Sequence, residues 1–174
     1  MKPEWASLRP NPRVVDLPED DAAAFALYQQ YIYSGLLPIL PDDLEEDSAQ
    51  TEGYHTLAYA YVLGERLMDT AFKNSIASAY VLYARGTAPG KRAYPSNEEI
   101  RILYEGTGDK SPIRRLLVDI WCCRGKHEWM DEDADLPKEF LVEVTRALLR
   151  ARPSLENLSR PWKNEHVQYH ERID

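Results

Sequence analysis

Gly106-Thr107-Gly108-Asp109-Lys110-Ser111 is the stretch whose residue types come closest to a phosphate-binding loop. Such a loop curls backbone N–H groups around a phosphate, with glycine directly before the lysine and a strand before the loop. Asp109 stands where that glycine belongs and brings a negative charge, and the residues before Gly106 read as helix. The segment is therefore read as a helix–helix connection rather than a nucleotide site.

The thiols and imidazoles offer a second chemistry. Cys122, Cys123 and His127, with Asp131, Glu132 and Asp133 close behind, have the ligand types of a metal centre. Structural zinc needs paired spacings such as C-x₂₋₄-C, which adjacent cysteines do not provide, so a cysteine here reads as a small apolar packing residue. His166 and His170 would share a face of a helix, but the glutamate of a zinc-protease motif is missing and Pro153 and Pro161 break the chain before them. The acids Asp42, Asp43, Glu45, Glu46 and Asp47 lack the spaced ligands and turning glycine of a calcium loop, and read as a solvated run. No serine lies in a nucleophile elbow and no glycine-rich dinucleotide fingerprint occurs. The expectation is a non-enzyme with no catalytic residue, no cofactor and no metal.

Composition narrows the class further. With 21 basic and 29 acidic residues in 174, the formal charge is −8, which repels a phosphate backbone, and the sequence has no basic stripe to offset it. Direct nucleic-acid binding is not expected. Met1 to Val15 has no continuous apolar region of a signal peptide, and no window is apolar enough to span a bilayer. The two cysteines are neighbours and cannot form a disulfide scaffold, so cytoplasm or nucleus is the expected location.

The apolar content of 44% supports a packed interior, and the elements that would build it are helices. Val14 to Gly35 reads as a short β-branched run, a proline, an acidic helix start and a glycine stop. Asp20 serves as N-cap, with Phe25, Tyr28 and Ile32 as the inward stripe and Gly35 as the left-handed terminator. Leu36 to Gln50 reads as loop. A helix beginning near Tyr54 follows, with Leu57, Ala60, Tyr61, Gly64 and Met68 on its inner face. Then comes a helix with Phe72, Ile76, Ala79, Tyr80 and Tyr83, ended by Gly86. Ser96 and Glu99 form a capping box for a short helix ending near Glu105. Ser111 and Pro112 start a helix with stripe Ile113, Leu116, Leu117, Ile120 and Trp121, ended by Gly125. Asp135 and Pro137 open the last one, with Phe140, Val144, Ala147, Leu148 and Ala151 inward. Residues 153–174 read as a polar, poorly ordered tail. The fold class is mainly α: a bundle of about six helices with one short residual β-strand near the N-terminus.

A resemblance runs along the same residues. The β-run at Val14, then Leu17-Pro18-Glu19-Asp20-Asp21, Phe25 and Tyr31-Ile32-Tyr33-Ser34-Gly35, resembles the middle of a BTB/POZ domain of the fungal type. The likeness continues in Leu57-Ala58-Tyr59-Ala60-Tyr61-Val62-Leu63-Gly64-Glu65, in Phe72-Lys73-Asn74, in Tyr104-Glu105-Gly106-Thr107 and in Ser111 to Asp119. It implies a truncated BTB/POZ-like α+β domain. Residues 1–85 would form the C-terminal part of that domain, 96–152 a helical extension packed on it, and 153–174 the tail. A full domain of the family begins with a helix, a β-hairpin, a strand and another helix, and this chain reaches the Val14 strand after about a dozen residues, so the upstream half is expected to be absent.

The function implied by the resemblance is a non-catalytic protein–protein interaction module, an adaptor for ubiquitin-ligase or transcriptional complexes. The partner is a protein of unknown identity. The face His55, Tyr59, Val62, Arg66 and Asp69, opposite the inner face of its helix, is the candidate surface, because Tyr and Arg are enriched in binding hot spots. The competing reading packs Tyr59 and Val62 under the acidic loop or against a later helix. A second function class is a small helical enzyme or ligand binder with its pocket between the core helices and those after Ser96. An apolar pocket with converging polar groups would favour it, and a bare apolar patch would favour the interaction module. A third possibility is a shortened gene product whose unpaired edge at Val14 to Asp16, with Trp5, drives self-association.

Overall fold

The computed structural model describes residues 20–37, 47–86, 92–132, 134–152 and 169. The expected strand at Val14 to Asp16, Trp5 and nearly all of the tail after Arg152 lie outside these residues. Among the described residues there are seven helices and no strand: α1 (Ala22–Ser34), α2 (Asp47–Arg66), α3 (Thr70–Arg85), α4 (Asn97–Gly106), α5 (Pro112–Arg124), α6 (Glu128–Glu132) and α7 (Lys138–Ala151).

Local chemistry explains most of the boundaries. α1 starts where the Ala24 N–H donates to Asp21 Oδ1 at 2.8 Å, and stops at Gly35, whose φ of 70° a side chain would strain. The cap is thus Asp21, not Asp20, which instead holds Arg66 of α2 at 3.0 Å. α4 opens with the expected capping box of Ser96 and Glu99, and α5 with Pro112 in its first turn. α2 begins at Asp47, several residues before Tyr54, so the end of the acidic run belongs to a helix start, where negative charge suits the dipole. The short α6 was not anticipated.

α2 is the central element: α1, α3 and α4 all pack on it, while α5 packs on α7 and on α4. Ala58 and Ala60 are fully buried, and Gly64 lets α3 approach so closely that an added Cβ would sit 2.9 Å from Lys73 Cγ and 3.0 Å from Phe72 Cδ1. Phe72, Ile76, Ala79, Tyr80 and Tyr83 of α3 are buried as expected. Ile113, Leu117, Ile120 and Trp121 of α5 are buried too, with Leu116 partly so. Tyr54, Tyr80 and Tyr83 stack at centroid distances of 5.0 and 5.3 Å. A second aromatic group ties α5, α6 and α7 together through Trp121, Trp129 and Phe140.

Three inward faces differ from expectation. On α1 the buried residues are Ala24 and Leu27, with Tyr28 and Tyr31 half-buried, while Phe25 and Ile32 face solvent. The stripe is displaced toward the side on which Tyr28 and Tyr31 meet Phe72 of α3. On α2, Met68 is exposed in the left-handed region (φ 56°), since it belongs to the turn into α3. On α7 only Phe140 and Val144 are buried and Ala147 partly so; Leu148 and Ala151 are exposed in its last turns.

Candidate functional site

The five residues expected to form one face of α2 do not share an open surface. Val62 is 7% exposed and packs against Gly106 of α4. Asp69 is the N-cap of α3: its Oδ1 accepts the Phe72 N–H at 2.9 Å and its Oδ2 accepts the Tyr28 hydroxyl at 3.3 Å. Arg66 pairs with Asp20. His55 Nδ1 lies 3.4 Å from Glu99 Oε1, and its ring meets Tyr59 edge-on at 5.1 Å. Packing against α4 takes Val62 out of that face, while His55, Tyr59 and Asp69 stay partly exposed and Arg66 exposed.

Two buried charged residues were not anticipated as such, and both are used internally. Glu99 is 1% exposed; its Oε2 accepts the Ser96 N–H at 2.6 Å, and its other oxygen faces His55. Burial pushes the hydroxyls of Tyr54 and Tyr80 upward from the usual tyrosine range, with the Glu99 charge adding to both. Tyr54 donates to the Ala93 carbonyl at 2.9 Å, fastening the chain that enters α4.

Arg114 organises the segment that resembles a phosphate loop. Its Nη2 donates to the Tyr104 carbonyl at 2.6 Å and to the Thr107 carbonyl, and its Nε to Thr107 Oγ1 at 3.0 Å. The guanidinium also lies 4.4 Å over the Tyr104 ring. Ser111 Oγ is 3.2 Å from the Tyr61 hydroxyl, on α2. The segment is a helix–helix connection in which Thr107 and Ser111 turn into the fold while Asp109 and Lys110 face solvent. Tyr104 continues the chain of contacts by donating to Glu143 Oε2 at 2.6 Å, and burial with the Glu143 carboxylate pushes its hydroxyl upward. Nothing in the sequence marks Arg114 as different from its neighbour Arg115.

The imagined metal ligands stay apart in role. His127 sits exposed beside Asp131 at 3.2 Å and Glu128 at 3.5 Å, Cys122 is half-buried and Cys123 exposed. Among the described residues no group of histidine, cysteine and acidic side chains could hold a metal, and no helix is long and apolar enough to cross a membrane. His166 and His170 lie outside the described residues.

Three depressions are formed by described residues. One depression of about 440 Å³ lies at the start of α4, lined by Tyr94, Asn97, Arg101 and Trp129. The other two, about 660 and 530 Å³, adjoin along the seam of α5 and α7, sharing Asp109, Arg114, Glu143 and Arg146. All are open and rich in charged or polar groups. Large apolar side chains also face solvent on α1 and just after it: Phe25, Ile32 (58% exposed), Tyr33 (91%) and Leu36 (72%).

Compared with known proteins, the chain matches no family model. No curated protein matches it. No solved structure matches it.

Proposed function

We propose that the protein is a non-catalytic protein–protein interaction module of BTB/POZ-like kind, acting as an adaptor in ubiquitin-ligase or transcriptional complexes. The observation that carries this reading is the apolar row Phe25, Ile32, Tyr33 and Leu36, which leaves large hydrophobic side chains in water on one helix. Exposed apolar side chains that group on one helix are a feature of protein contact sites. The buried Glu99 supports it from the other side, because its Oε2 is engaged with the Ser96 N–H of the helix cap. The occupant of the α1 face is the apolar surface of a partner protein, with Tyr33 as the aromatic anchor. The adaptor role comes from the resemblance in the motifs quoted above.

A photo-crosslinking residue placed at Tyr33 tests this. It is expected to capture a specific protein from cell extract, and Ile32→Asp is expected to abolish that capture while leaving the helical circular dichroism and melting curve unchanged. Equal capture from the Ile32→Asp chain, or capture only from a probe at Tyr59, refutes the α1 surface. Capture of a second copy of the chain would make the same face a self-association surface.

A further inference from the structure

The seam of α5 and α7 is locally basic in an otherwise acidic protein. The two helices run antiparallel, since Trp121 meets Phe140 at 5.3 Å at one end while residues 109–119 line the same groove as 143–150. This arrangement collects Lys110, Arg115, Arg146 and Arg150 around a groove of about 660 Å³.

Three acids share the lining with five cations, the inner Arg114 included. Glu143 accepts the Tyr104 hydroxyl at 2.6 Å, and Asp109, its side chain exposed, lies 3.4 Å from Arg114. Asp119 lies 3.9 Å from Arg115, longer than a charge-assisted hydrogen bond, in a pair that is exposed on both sides. Arg146 and Arg150 are one helical turn apart on the α7 wall, exposed and without an ion pair among the described residues. Val118 and Ala147 give the groove an apolar floor. Four cations spaced along two walls, rather than converging on a point, suit a ligand with several separated negative charges.

We propose that the α5–α7 groove is a docking site for an acidic, extended peptide segment of a partner protein. In an extended peptide, side chains at i and i+2 lie on one side about 6.6 Å apart, so carboxylates there can reach successive cations of one wall while the residue between them points the other way. The arginines offer paired N–H groups that match a carboxylate. Charge complementarity is local: a short acidic peptide meets the four cations, whereas a long polyphosphate would also meet the field of a chain carrying −8. Among the described residues no aromatic side chain lines this groove to stack a base. The site is separate from the α1 face, and neither proposal requires the other.

Fluorescence anisotropy with a labelled peptide of alternating Glu and Val is the test. The full chain is expected to bind it, with affinity falling as ionic strength rises from about 0.01 M to about 0.15 M. The double reversal Arg146→Glu with Arg150→Glu should weaken binding by about tenfold or more, and Arg115→Glu by several-fold. Lys126→Glu, on an exposed residue outside the groove, should leave it unchanged. Circular dichroism of each variant establishes that the fold is intact. The proposal is overturned if the Glu→Gln peptide binds equally well, if reversal at Arg146 and Arg150 leaves affinity unmoved in a folded protein, or if single-stranded oligo-dT binds more tightly than the peptide.

Discussion

Gly106→Ala is the sharpest probe of how α2 and α4 meet. A Cβ at Gly106 would lie 2.6 Å from Val62 Cγ1 and 3.0 Å from Val62 Cβ, and closer still to Cγ2. Gly106 does not have positive φ, so glycine is required there by space alone. Val62 is branched at Cβ, and in a helix its χ1 is held to essentially one rotamer, so it cannot swing away. Overpacking of this kind costs about 1–3 kcal/mol. The reduced freedom of the unfolded chain returns about 0.4–1 kcal/mol when glycine becomes alanine. The net expectation is a loss of about 1–2 kcal/mol, and for a chain of this length each kcal/mol lowers Tm by about 2–4 °C. Val62→Ala alone should cost about 1–2 kcal/mol through lost apolar burial and the space left behind. In the double variant the new methyl occupies the space that valine vacated, so its stability should match or exceed that of Val62→Ala, with a coupling of about 1 kcal/mol or more. Urea unfolding followed by far-ultraviolet circular dichroism measures all four corners of this cycle. Additive effects, or a neutral Gly106→Ala, would refute the α2–α4 contact. A Val62→Ala chain of undiminished stability would return Val62 to the surface.

Other expectations follow from the polar anchors. Arg114→Lys keeps the charge but loses the planar fork that holds the Tyr104 and Thr107 carbonyls, and should cost about 2–4 kcal/mol in urea unfolding. Asp69→Ala removes the α3 cap and should cost about 1–2 kcal/mol, while Tyr28→Phe, which removes only the hydroxyl facing Asp69, should cost about 1 kcal/mol or less. The hydroxyls of Tyr54, Tyr80 and Tyr104 are raised mainly by burial, so the folded state holds their protons more tightly than the unfolded one. Their contribution to stability is therefore full below the unfolded tyrosine value of about 10 and is lost as pH climbs beyond it. Spectrophotometric titration should show the late tyrosinate signal rising together with loss of helix, and early, non-cooperative ionisation of every tyrosine would contradict this. Burial also pushes the Cys122 thiol up, and its neighbour Cys123 is exposed, so a thiol reagent should find one fast and one slow cysteine in the native chain and two equal ones in denaturant.

Helix ends were the most legible feature of the sequence because they depend on local chemistry. The Ser96–Glu99 box, Pro112 in a first turn, and the glycines at 35, 86 and 125 each act within a few residues. Faces were less legible because they depend on what lies opposite. A stripe built on Phe25 and Ile32 points the wrong side of α1 inward. The inner surface of α1 is set by what packs on it: Tyr28 and Tyr31 meet Phe72 of α3, and Ala24 and Leu27 are buried. At Leu148 the periodicity continues after Val144 and Ala147, but exposure returns in the last turns of α7. Leu148 and Leu149 thus satisfy the pattern without being buried.

Charge was legible only as a sum, and the sum misleads about place. The −8 balance argues against a polyphosphate partner, yet Lys110 and Arg115 lie on one helix approach and Arg146 and Arg150 on another, with acids between them in sequence. Antiparallel packing of α5 on α7 brings the four cations to one seam, while Tyr104 and Arg114 draw Glu143 and Asp109 into contacts of their own. The same inward turn uses polar groups of the stretch from Gly106 to Ser111. Its threonine hydroxyl and carbonyls face Arg114 and its serine faces Tyr61, so the groups are used in joining α4 to α5. The basic groove exists because that connection is internally satisfied, leaving the outer cations of both helices facing solvent.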